Sequence, residues 1–135
     1  MIKKILFTII VLALLGGAYA YYQYNKPVAS IENKKPDMAL SANDLVAAYE
    51  EDENAANEKY TEKIIQVKGI ISQIVKEGSV NKIFIQTDNP LSGVICEMED
   101  VQDVASLKPG DDVMVKGRCT GFLSDVVLVQ SSLVK

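Results

Sequence analysis

At 135 residues and a net charge of −4, the chain has room for one modest core and no second domain once its apolar leader is set aside. It has no histidine, so the commonest general base, metal ligand and neutral-pH switch is missing, and no nucleophile triad or phosphate loop replaces it; neither an enzyme nor a cofactor is expected. Five lysines against two acids give residues 1–40 a surplus of three positive charges, which leaves −7 on the rest, and a domain that acidic repels polyanions.

The leader begins Met1-Ile2-Lys3-Lys4, is apolar from Ile5 through Ala18, and ends in Tyr19, Tyr21, Tyr22 and Tyr24. Residues 5–22 would reach about 27 Å as a helix, close to the hydrocarbon thickness of a bilayer, and tyrosines suit the headgroup layer. Two readings stay open for residues 1–24: a retained transmembrane anchor, or a signal peptide cut after the small-x-small run Ala18-Tyr19-Ala20. No cysteine stands just after the apolar run, so lipid anchoring is not expected. The short basic N-terminus should stay cytoplasmic, and either reading then sends the rest of the chain outward.

Residues 25–40 carry Pro27, Pro36 and scattered lysines and read as a polar linker that lets the domain stand off the membrane. Ser41 looks like a helix N-cap with Asp44 three positions on, and good helix formers continue to about Tyr60, with Leu45, Tyr49, Ala56 and Tyr60 on one stripe. The acidic run Glu50 to Glu53 lacks the alternating ligands and glycine turn of a calcium loop and reads as a solvated face.

After Tyr60 the period becomes two. Ile65, Val67, Gly69 and Ile71 share one face of a long first strand that continues to Val75, and Gly69 inside it predicts a coil or bulge. Glu77-Gly78-Ser79 turns the chain into a second strand around Ile83 to Gln86, and Asp88-Asn89-Pro90 turns it again. A third strand runs from Gly93 to Met98 with Val94, Cys96 and Met98 aligned, and a short helical piece follows near Asp100 to Leu107. The clearest strand comes after Pro109-Gly110: Val113, Val115, Gly117 and Cys119 point inward, and Met114, Lys116 and Arg118 point outward, up to Gly121. Val126 to Val134 supplies a fifth strand.

Three strands, a helix and two strands are the order of a five-stranded Greek-key OB barrel, here preceded by an extra helix, so the fold class is mainly β with residues 41–135 as one OB-fold domain. The stretches Ser41-Ala42-Asn43-Asp44-Leu45, Asp52-Glu53-Asn54-Ala55-Ala56-Asn57, Lys59-Tyr60, Val67-Lys68-Gly69, Gly93-Val94-Ile95-Cys96, Lys108-Pro109-Gly110, Val115 to Gly121 and Asp125-Val126-Val127-Leu128 carry a resemblance to a bacterial OB-fold family labelled tRNA-anticodon-binding-like. Many of its members are small exported or membrane-anchored proteins of unknown role. The resemblance implies an OB barrel in a bacterial protein; together with the leader, the expected location is the cell envelope, single-pass in the inner membrane with the C-terminal domain in the periplasm, or free there if the leader is cleaved. Its label hints at nucleic acid through fold analogy, which does not fix function.

Cys96 and Cys119 both take inward strand positions, and an exported domain meets an oxidising compartment. A disulfide between them and a pair of buried thiols both stay open; the family pattern often adds a cysteine near the final strand, where this chain has Ser131. OB barrels bind through the outer face of their second and third strands and the neighbouring loops. Here that face offers Phe84, Gln86, Ile95 and Glu97, with Phe122 before the last strand and Lys68, Lys116 and Arg118 as a small basic strip. One strand aromatic and an acid make a poor single-strand stacking platform. The expected function is therefore a noncatalytic envelope module that contacts a protein partner or envelope ligand, the alternative being a nucleic-acid or oligosaccharide binder.

Overall fold

Alternating buried and exposed residues shape a barrel that closes on itself. The computed structural model describes residues 1–26, 30–99 and 104–134, and among these the strands are β1 (Met38–Ser41), β2 (Ile64–Glu77), β3 (Val80–Gln86), β4 (Val94–Met98), β5 (Asp112–Phe122) and β6 (Val126–Leu133). Five of them form the ring β2-β3-β4-β6-β5, with β5 returning to β2. The 14 residues of β2 let it serve both sides: Ile64 to Ile70 pair with β5, and Ile70 to Glu77 pair with β3. This is the expected OB barrel with one strand added, since β1 runs parallel to β2 beside residues 65–68.

The bend in β2 does not lie where its glycine predicts. The register shift falls between Ile71 and Gln73, while Gly69 stays in regular pairing opposite Val113. Glycine is required at 69 for a different reason: a Cβ there would overlap the Ile85 side chain and lie 3.2 Å from Ala42 Cβ, so the residue admits close packing rather than a bulge.

The helical stretch after Ser41 divides into α1 (Ala42–Glu51) and α2 (Glu53–Tyr60). Ser41 caps the first by accepting from the Asp44 N–H at 3.1 Å, as its position predicts. Asp52, at φ −154 and ψ 98, ends the first helix and caps the second by accepting from the Ala55 N–H at 3.0 Å. Aspartate is a better cap than interior residue, so the acidic run breaks the helix there. The apolar stripe survives the break, with Leu45, Tyr49, Ala56 and Tyr60 all buried in the core, and the acids Glu50 to Glu53 remain exposed.

The largest departure from the sequence reading concerns the linker. Ile31 is fully buried, Lys116 Nζ donates to the carbonyls of Glu32 and Lys34 at 2.7 Å each, and Asp37 exchanges hydrogen bonds with the backbone of Ile64. Residues 30–41 thus belong to the barrel, because one isoleucine and a strand edge hold a segment whose composition is polar. The short helical piece is a 3-10 turn at Val104–Ser106; residues 100–103 of that expectation lie outside the described residues.

Ahead of the domain, residues Ile2–Tyr24 form a 23-residue helix with no buried residue, and an 18-residue stretch of it has mean hydropathy 2.0. By length and composition it fits a membrane span or signal anchor.

Candidate binding face of the barrel

On the outer face of β3 and β4, Phe84 lies directly opposite Ile95 and Lys82 opposite Glu97. Phe84, Ile95 and Glu97 are half-buried and Gln86 is exposed, so the four residues expected on this face do share it. Lys82 is the member the sequence reading missed; its place two residues before Phe84 puts it on the same side. Its ammonium lies 2.8 Å from Glu77 and 3.7 Å from Glu97, and the hydrogen bond to Glu77 raises its pKa above the usual lysine value. The face therefore presents one aromatic, one aliphatic and a lysine already held between two carboxylates, which is not the aromatic and cationic lining a single-stranded polyanion needs.

Beyond Gln86 the face opens into a cleft of about 380 Å³ bordered by Ser72, Phe84, Thr87, Pro90, Leu91 and Asp125. Its wall is the β3–β4 connection, whose hydrogen bonds are local and specific. Asn89 Oδ1 accepts from the Leu91 N–H at 2.9 Å, and Thr87 Oγ1 reaches the carbonyls of Asn89 and Ser92. The connection is tied to the β5–β6 turn: Asp125 Oδ1 accepts from the Gly93 N–H at 2.7 Å, and the Val126 N–H donates to the Gly93 carbonyl at 3.0 Å. Glycine at 93 fits against β3 rather than the turn, since a Cβ would stand 2.6 Å from the Ile85 carbonyl oxygen. On the other side, Asn43 of α1 exchanges bonds of 2.8 and 3.1 Å with Asp88, and Asn89 donates to Glu50. These two joined loops carry Leu91 and Leu123, 83% and 91% exposed. Turn chemistry marked both loops in the sequence, but nothing there told an apolar turn residue on the surface from one folded inward.

The remaining expected residues separate. Phe122 is turned toward the core, stacked on Tyr49 at 5.5 Å between centroids and 20° between planes, so it closes the barrel end and leaves the binding face. The basic strip loses one of its three members. Lys116 is buried, only 8% exposed, and its charge is spent on the carbonyls of Glu32 and Lys34; Lys68 lies 3.5 Å from Asp112; Arg118 is half-buried between Ile64 and Val129 in the sheet register.

Cys96 and Cys119 are buried free thiols, so the disulfide is not formed. The register explains why: both pair with Leu128, one from β4 and one from β5. With β6 between them they are two strand spacings apart, about 9–10 Å, beyond the reach of a disulfide. Burial pushes Cys96 up to about 12 and also raises Cys119, whose sulfur lies 3.3 Å from the Tyr49 hydroxyl. Thiols so protonated are poor nucleophiles. Among the described residues no group of histidine, cysteine, aspartate and glutamate has the geometry to hold a metal ion.

Solved structures share this architecture. A Klebsiella pneumoniae protein described as a nucleic acid-binding lipoprotein aligns with a TM-score of 0.58 at 17% identity, over 72% of this chain and 91% of its own. A Leishmania major protein described as an aspartyl-tRNA synthetase aligns with a TM-score of 0.50 at 11% identity, over 88% of this chain and 25% of its own. At such identities the likeness is one of fold. No curated protein matches the chain by sequence. The tRNA_anti-like family, in contrast, matches residues 1–133, and with the OB barrel found here the chain belongs to that family.

Proposed function

We propose that the protein is a noncatalytic binding module carried to the membrane by its N-terminal helix, with the barrel in the periplasm, and that it contacts a protein partner or envelope ligand through Phe84, Gln86, Ile95, Glu97 and the cleft beside them. The observation that carries this reading is the open cleft of about 380 Å³ walled by Phe84 and the bonded 87–93 loop, a preformed concavity with a few converging polar groups. The protonated thiols and the absence of histidine favour binding over chemistry.

A photoreactive amino acid replacing Phe84 or Ile95 in the full-length protein tests this in intact cells. Discrete crosslinked products from these positions, and none from Asn54 on the exposed helix surface, are the expected result; no product from either face position defeats it. The description of the Klebsiella protein favours nucleic acid as the alternative occupant, and an oligosaccharide fits the same kind of face. Salt-dependent binding of a labelled single-stranded oligonucleotide by the detergent-solubilised protein, lost in Phe84→Ala, would replace the protein partner with nucleic acid.

A further inference from the structure

We infer that the barrel end formed by the joined 87–93 and 122–126 loops docks a basic protein segment bearing large apolar side chains. The inference rests on the binding-module reading and names the chemistry of the partner and where it lands. Outside the N-terminal helix, the exposed large apolar residues among those described are Ile70 at 42%, Val80 at 37%, Leu91 at 83% and Leu123 at 91%. The two most exposed stand on separate loops that the Gly93 and Asp125 bonds hold together, each two residues from the junction. A leucine pair held on braced loops is pre-organised, so a partner that covers it gives up little loop entropy on binding.

Charge selects the partner. The cleft beside Leu91 holds Asp125, the cleft across the 87–93 loop holds Asp44, Glu50 and Asp88, and neither holds a lysine or arginine; Lys68, which lines a third cleft with Asp88, lies 3.5 Å from Asp112. Exposed leucines on loops beside carboxylates that no lysine or arginine in the same cleft neutralises complement a segment whose lysines or arginines flank leucine or phenylalanine, and they oppose a nucleic acid or an anionic lipid surface.

Position agrees. The chain enters the barrel at Ser30, whose hydroxyl donates to Glu99 at 3.0 Å, beyond the C-terminal end of β4. The leucine loops join at Gly93, at its other end and about 20 Å away at about 3.3 Å per residue. Only residues 25–29 separate the apolar helix from Ser30, at most about 22 Å of chain. With the helix in a bilayer, the Ser30 end is the tethered end and the leucine loops are the free one.

Fluorescence anisotropy on the full-length protein in nanodiscs of neutral lipid tests the inference, with empty nanodiscs as the blank. The probes are a 12-residue peptide with two leucines flanked by lysines, its Leu→Ser and Lys→Glu counterparts, a 20-residue oligothymidylate, and phosphatidylglycerol vesicles. Only the lysine-leucine peptide should bind. The double variant Leu91→Ser/Leu123→Ser should weaken it at least tenfold, and Asp44→Asn with Glu50→Gln should weaken it about threefold and flatten its salt dependence. Both leucines are on the surface, so the double variant should melt as the parent does. Equal binding of the glutamate peptide, no loss in the leucine variant, preference for oligothymidylate or vesicles, or no binding by any probe overturns the inference. If crosslinks at Phe84 and Ile95 persist after such a result, the binding-module reading stands and only the docking end is wrong; if they are absent too, both fall.

Discussion

The two ends of β4 handle apolar side chains in opposite ways. Near Glu99 the incoming segment drops Ile31 into full burial and is pinned by Lys116 and Asp37, whereas at Gly93 the structure is equally well bonded but leaves Leu91 and Leu123 in solvent. Hydrogen bonding is thus similar at the two ends and cover is not. One end is completed by the protein's own chain, and the other is shaped and left uncovered.

This contrast can be broken most sharply at Ile31. Replacing a fully buried isoleucine with alanine should cost about 2–5 kcal/mol in chemical denaturation, and a cost near zero would mean that the segment is a loose connector after all. Lys116→Ala should follow at about 1.5–3 kcal/mol, the range for hydrogen bonds to a charged group. It should also speed amide exchange in residues 30–41 while leaving residues 87–93 unchanged; equal loss of protection at both ends would show that they are not independent.

The barrel interior between the ends supplies a pH test. The Cys96 thiol rises from 9.0 to about 12 on folding, so above pH 9 the unfolded chain releases a proton that the folded chain retains. Stability should therefore be unaffected by this group below pH 9 and fall as pH climbs from 9 toward 12. Intact mass after alkylation should add no label to the native protein and two after denaturation without reductant, and a mass requiring prior reduction would restore the disulfide. The smallest stability effect belongs to the open end: Leu91→Ser and Leu123→Ser should each shift unfolding by no more than about 0.5 kcal/mol. A larger loss would show these leucines to be part of the core.

Most of the candidate face was legible because strand alternation is local. Phe84, Gln86, Ile95 and Glu97 share a side once β3 and β4 pair, and the period of two states that in advance. Phe122 was not legible: its place after a bulge at Cys119 and Gly121 resets the alternation, and only Tyr49 arriving from a helix shows which way the ring turns. Lys116 misled for a related reason. A lysine at an outward position is ordinarily solvated, and its burial depends on a segment 82 to 84 residues away.

Composition is enough for the acidic balance of the domain, and neighbouring residues obeying a period, a turn or a cap are enough for the apolar leader, the Ser41 cap, the strands and their inward faces. Tertiary structure alone decided that residues 30–41 join the barrel, that β6 keeps the two cysteines apart, and that two leucines meet the solvent on loops joined by Asp125. These are facts of register and long-range contact, and no local pattern encodes which distant segment will cover a given side chain.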